Sequence, residues 1–282
     1  MSNPTEKGLI GPKILIEGPA GTGKTHAIAT AVEWAATKKM RVVCLFTENG
    51  LETLLGFWKD KNKPVPENLF YHQAMTRPVS LAALIKAADN VGKLSYEGVT
   101  KMIDPDRAKS NAFHKILEAC SNFPDDRTGT KLGPVDAFGL DTIFVIDSLS
   151  ELSNAALKMV IGNRPTAAPP DYGVAQNNLM NFLRLCTQGI ECPFIMTAHV
   201  SREKDEITGG IKLMTKAVGA ALANEIPQLF SDVIYTVRNG DKFTWDTAAA
   251  NVDVKTRNLP IAAGITPDFG QIFNKWQNRG AA

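Results

Sequence analysis

Gly18-Pro19-Ala20-Gly21-Thr22-Gly23-Lys24-Thr25 obeys the pattern G-x-x-x-x-G-K-[ST], and its neighbours give it the context that pattern needs. Upstream, Ile14-Leu15-Ile16-Glu17 is a short apolar run of the buried-strand type. Downstream, Thr25 to Thr37 has helical spacing. The glycines therefore fall at a strand-to-helix turn, which is an anion site. Without a Cβ the backbone curls so that its N–H groups point inward, and the helix N-terminus adds partial positive charge. In such a turn Lys24 reaches the β and γ phosphates and the Thr25 hydroxyl ligates Mg²⁺, while residues 18 to 23 form the cradle. The expected ligands are ATP and Mg²⁺.

Working outward, Arg41 to Thr47 is a continuous β-rich run, as expected of a parallel strand buried on both faces. A helix is expected at Leu51 to Lys59, a weaker strand at Asn68 to Gln73, and an Ala-rich helix at Ser80 to Val91. A buried strand at Thr142 to Ile146 ends in Asp147. Helices at Glu151 to Ile161 and Val174 to Gly189 then precede a strand at Pro193 to Thr197. Strand-like runs at Val233 to Arg238, Lys242 to Asp246 and Val252 to Thr256 close the chain. This order predicts an α/β fold whose mostly parallel central sheet is flanked by helices, with antiparallel strands at the C-terminal end. Between about Lys93 and Asp141 the chain turns polar, and Asp104-Pro105, Pro124-Asp125-Asp126 and Gly129 to Pro134 break one helix-like piece, Arg107 to Ser121. That stretch reads as an insertion, at about 93–141, on a single domain spanning 1–282.

Composition narrows the remaining classes. With 282 residues, 44% of them hydrophobic, the chain can bury a full core. A net charge of +2 is too mild to argue for nucleic-acid binding, so any such claim rests on local loops. Cys44, Cys120, Cys186 and Cys192 lack C-x-x-C spacing and the four histidines are scattered, so reduced core thiols are expected rather than a zinc site. No apolar run approaches the ~20 residues of a membrane span, and a cytoplasmic location is the expectation.

Chemistry-bearing residues recur at strand ends. Asp147, at the end of Ile143-Phe144-Val145-Ile146, is placed to hold Mg²⁺ beside the glycine turn. Glu48 follows the second strand, where a carboxylate can orient and polarise water; Glu17 is the rival for that role, and an exposed loop glutamate the plain alternative. His199 ends the strand after Asp147 and leads into a polar loop, Val200 to Thr215, with Arg202, Lys204 and Lys212, and with Lys216 just beyond it. It is a candidate γ-phosphate sensor, or else a structural hydrogen-bonder. Lys255 and Arg257, two apart on a strand, project from one face. They suit an arginine finger acting in a neighbouring subunit, or a charged edge that deters aggregation.

Taken in order, Gly18 to Thr25, Glu48, Asp147-Ser148, His199 and Lys255-x-Arg257 resemble the RecA-type ATPase core across most of residues 10 to 260. Asp171-Tyr172-Gly173, Thr197-Ala198-His199 and Gly219 to Phe230 further resemble the compact phage-encoded RecA-like ATPases of the Sak single-strand annealing group. The resemblance implies ATP-linked single-stranded DNA binding, strand annealing or exchange in phage recombination, and a host bacterial cytoplasm. It also implies self-assembly as a ring or filament, with a single-strand binding protein alongside. It makes Lys24 and Thr25 phosphate and Mg²⁺ contacts, Asp147 the second Mg²⁺ contact, Glu48 the water-activating carboxylate, and Lys255 and Arg257 cations acting between subunits. The segments from Met159 to Tyr172, with Arg164, and from Ser201 to Thr215 match the two DNA-binding loops. Where RecA-type recombinases carry glutamine this chain has His199, and where they carry an adenine-stacking aromatic it has Leu55. A ring-shaped helicase or translocase, or a nucleotide-regulated interaction module acting through the insertion, are the competing functions.

Overall fold

A computed structural model of the chain describes residues 9–75, 112–162, 164, 166–204 and 209–280, together with 81–82, 85 and 88–89. The strands are β1 (Lys13–Glu17), β2 (Arg41–Phe46), β3 (Leu69–Gln73), β4 (Thr142–Asp147), β5 (Phe194–Ala198), β6 (Val200–Lys204), β7 (Ile211–Thr215), β8 (Asp232–Asn239) and β9 (Lys242–Asp246). The helices are α1 (Lys24–Thr37), α2 (Leu51–Lys59), α3 (Ala112–Ser121), α4 (Leu149–Ile161), α5 (Pro169–Arg184), α6 (Ala220–Glu225) and α7 (Phe269–Gly280).

Seven strands form one sheet in the order β3-β2-β4-β5-β1-β8-β9. Every pairing in it is parallel except that of β8 with β9. The apolar runs explain this. A strand covered by helices on both faces needs apolar side chains at every position, and successive residues then feed opposite cores. Leu15, Val43, Leu45, Phe144, Ile146, Phe194 and Met196 point into a core closed by α3, α4 and α5, through Phe113, Leu152 and Leu183. Ile14, Ile16, Val42, Cys44, Ile143, Val145 and Ile195 point into a second core closed by α1, α2 and α7, through Ile28, Leu54 and Phe273. All four cysteines are buried, unpaired thiols. Among the described residues no helix is long and apolar enough to cross a membrane.

Several expectations are corrected. The polar stretch at 200–215 is not a loop: β6 and β7 pair as an antiparallel hairpin with their own two-stranded sheet. The run at 252–256 is not a strand. Its β-pairing among the described residues is limited to isolated bridges, Leu213 to Val252 and Val233 to Lys255, and the buried Asp232 carboxylate holds the segment side-on. That carboxylate accepts hydrogen bonds from the Thr256 hydroxyl, the Arg257 and Asn258 backbone N–H groups and the Asn258 amide at 2.7–3.0 Å. The other expected DNA loop, at 159–172, shrinks to the short connection between α4 and α5. There α5 starts at Pro169 rather than Val174, since proline suits the first helical turn and the Asp171 carboxylate caps the Ala168 N–H at 2.6 Å. The same helix gives way to a π-helical turn at Leu185–Gly189.

Residues 112–138, within the expected insertion, pack on the domain core. Phe113, Ile116, Phe123 and Phe138 join the first core, and Asp125 and Asp126 accept the Tyr71 and Gln73 N–H groups, covering the β3 edge. The expected helix at 80–91, except for scattered positions, and the part of the expected insertion before 112 lie outside the described residues. Helix α7 is absent from the expectations above, although Phe269, Ile272, Phe273 and Trp276 recur at helical spacing; it packs on α1 through Trp34 and Phe273, whose rings are 4.8 Å apart.

Candidate active site

Because β1, β2, β4 and β5 are parallel, their C-terminal ends share one edge, and Gly18, Glu48, Asp147 and His199 all fall there. The cradle is braced by β8. A methyl group on Gly18 would lie 2.2 Å from the Thr236 hydroxyl oxygen, so only glycine fits. Thr236 shares a 2.6 Å hydrogen bond with Thr22, whose hydroxyl is also 2.8 Å from the Pro19 carbonyl. Gly21 and Gly23 take φ values of +74° and +83°, the left-handed region in which a side chain is strained.

Lys24 is buried, and its ammonium donates to the Gly18 and Pro19 carbonyls at 2.8 and 2.7 Å. Burial pushes its pKa down to about 8, against the opposing pull of Asp147, Glu48 and Glu17. A cation held this way, short of full compensation, is suited to meet a phosphate. Asp147 is also buried. One oxygen accepts the Thr25 hydroxyl at 2.7 Å and the other accepts the Thr197 hydroxyl. Burial raises its pKa, and the two hydroxyls pull the other way. The Thr25 hydroxyl and Asp147 carboxylate are hard oxygen donors side by side, the ligand type Mg²⁺ takes; the inward-curled loop with buried Lys24 fits a polyphosphate.

A cavity of about 170 Å³ is lined by residues 20 to 26 together with Glu48, Thr53 and His199. The Glu48 carboxylate lies 3.5 Å from His199 Nε2, both groups being 27% exposed and so open to the cavity. The hydrogen bond from His199 holds the Glu48 carboxyl below its usual range, outweighing burial. A carboxylate ionised at neutral pH and facing the phosphate cradle is equipped to accept a proton from water. The rival Glu17 is wholly buried, takes the Thr215 hydroxyl at 2.6 Å, and does not line this cavity. Gly50 is forced by the same geometry, since a methyl group there would stand 2.5 Å from an Asp147 oxygen.

Other sequence candidates lie elsewhere. Lys255 and Arg257 are exposed on the lower half of β8, where Lys255 bridges Val233, itself opposite Leu15, and so they are not at their own cradle. Arg164 is tied to Asp171 at 2.7 Å. Arg202 and Lys204 share one face of the β6–β7 hairpin, whereas Lys212 is on the other, opposite Glu203 and 3.1 Å from Asp253. Lys216 sits at the hairpin's root, its N–H donating to the His199 carbonyl at 2.8 Å. Sequence reasoning gave no role to Thr197, Thr215 or Thr236, nor to the β8–β9 turn beside the cradle. Asn239-Gly240 between two strand-like runs was the available sign of that turn.

No curated protein matches the chain. A family model described as an AAA domain matches residues 10–258, from just before β1 through the Lys255-x-Arg257 segment. With the phosphate cradle and the Asp147 pocket both inside that span, the chain belongs to the AAA domain family of P-loop ATPases.

Proposed function

We propose that this ATPase couples hydrolysis to single-stranded DNA, acting in strand annealing or exchange of the phage recombination type. The observation that carries this reading is the position of His199. Its side chain meets Glu48 at the cavity. Its backbone N–H meets the Ser150 hydroxyl at 3.1 Å and its carbonyl holds Lys216, so the β6–β7 hairpin that bears Arg202 and Lys204 is rooted on the residue facing the γ-phosphate end. A change at the phosphate that moves His199 moves that root, giving the two sites a shared element.

In this scheme the cradle and Lys24 hold the phosphates, Thr25 and Asp147 hold Mg²⁺, and Glu48 takes the proton of the attacking water. Bound Mg²⁺ supplies charge neutralisation at the phosphate oxygens. His199 orients Glu48. Lys255 and Arg257 act on a neighbouring copy's nucleotide, in a ring or filament, and a single-strand binding protein is the expected companion. Arg202, Lys204 and Lys216 meet DNA phosphates.

The test is ATP hydrolysis with and without single-stranded DNA across a salt series. Three phosphate contacts on a single strand should give a log–log salt slope of about −2. Hydrolysis that ignores DNA at every salt concentration would remove the DNA reading and leave the ATPase standing.

A further inference from the structure

We propose that the nucleobase of the bound nucleotide stacks on an aromatic platform made by His26 of α1, Phe57 of α2 and Phe243 of β9. This rests on the ATP reading of the cradle. Leu55, the position the RecA-type pattern offers for the base, does not line the cradle cavity: it lines a different groove, of about 640 Å³, with Asn49, Glu52 and Gln73. The aromatic surface comes from three other elements.

His26 follows Thr25 directly and lines the P-loop cavity. With the γ-phosphate end directed at Glu48 and Asp147, the nucleoside leaves the cradle at the start of α1, where His26 stands. The Phe57 ring is 4.9 Å from the imidazole at 60°, and the Phe243 ring is 6.2 Å away at 39°. Phe243 packs on the cradle itself, since a methyl group on Gly23 would meet its ring at 2.9 Å. Both phenylalanines are only half-buried and His26 is more open still, so the cluster presents aromatic surface to solvent beside a phosphate site.

Each phenyl ring carries a cation over it: Lys61 lies 3.7 Å from the Phe57 ring centre and Arg238 5.5 Å from that of Phe243. Arg238 also reaches the loop, since a methyl group on Gly21 would lie 3.8 Å from its Nη1. Stacking engages the π-face that every base has and leaves its hydrogen-bonding edge unread. The platform therefore favours large purine faces and discriminates weakly between adenine and guanine.

The experiment compares binding of ATP and of inorganic tripolyphosphate, each with Mg²⁺, by calorimetry. The proteins are the wild type, Phe243→Ala, Phe243→Leu and His26→Ala. The leucine variant keeps apolar bulk without the π-face, and His26 is open enough to be replaced without disturbing the core. Each variant should lose about tenfold or more in ATP affinity and keep its tripolyphosphate affinity. Wild-type GTP affinity should lie within a few-fold of that for ATP. Equal losses for both ligands, unchanged ATP affinity, or wild-type tripolyphosphate binding as tight as ATP would overturn the platform while leaving the cradle intact. Failure of the wild type to bind either ligand would overturn the ATP reading, and the platform with it.

Discussion

Replacing Glu17 with glutamine should stabilise the fold by about 3 kcal/mol at pH 8 and leave it nearly unchanged at pH 4. Glu17 is the last residue of β1, wholly buried; Thr215 donates to one carboxylate oxygen and the other has no partner among the described residues. Burial raises its pKa from 4.5 to about 7, and the Thr215 hydrogen bond opposes that only in part. Below pH 4.5 the folded and unfolded chains both hold the proton. Between pH 4.5 and about 7 the folded chain holds it and the unfolded chain releases it, so wild-type stability falls as pH rises. The slope is about 1.4 kcal/mol per pH unit, which over this window comes to about 3 kcal/mol. Glutamine copies the neutral acid in shape and still accepts the Thr215 hydroxyl, so its contribution does not change with pH. Urea unfolding of both proteins from pH 4 to pH 8 reads the difference directly. Two parallel stability curves would refute the reasoning. ATP hydrolysis should survive in the same variant, because Glu17 does not line the cavity.

Glu48→Gln should keep ATP binding and slow hydrolysis by roughly 10²- to 10⁴-fold in a single-turnover assay, the range expected for a lost general base. His199→Ala removes the hydrogen bond that holds the Glu48 carboxyl low, so the acid limb of the ATPase pH profile should move to higher pH; an unmoved limb would detach His199 from Glu48. Asp232→Ala leaves the buried Asn258 N–H and amide and the Arg257 N–H unpaired. It should cost at least about 2 kcal/mol by denaturant titration. Turnover should also fall while ATP binding holds, if the Lys255-x-Arg257 segment acts between subunits.

The parts legible in the sequence were those written in contiguous residues. β1, the glycine turn and α1 follow one another without a gap, and unbroken apolar runs mark β2, β4 and β5 as doubly covered strands. Terminal elements were harder. The Lys255-x-Arg257 stretch has strand-like composition, yet Asp232 outcompetes any partner strand by offering one carboxylate to several N–H groups. The β6–β7 hairpin hides in a charged, Gly-containing stretch because it is a narrow two-stranded ribbon whose exposed face carries no apolar alternation. Helix α7 was legible, since Phe269, Ile272, Phe273 and Trp276 mark one helical face, but its partners Trp34 and Trp245 were not, Trp34 lying 240 residues from the Asn274 side chain it meets.

The sequence by itself determined the phosphate cradle, the parallel α/β architecture and the edge at which Glu48, Asp147 and His199 collect. Local steric rules and hydrophobic periodicity need no knowledge of distant residues, and a parallel sheet places all its strand ends together. Only the tertiary structure decided which side chains complete the site. Thr25 meets Asp147 across 122 positions and Thr215 meets Glu17 across 198; His199 pairs with Glu48, and Phe243 closes on Gly23. Those contacts depend on strand order and register, which join residues far apart in the chain and leave no spacing between them to be read.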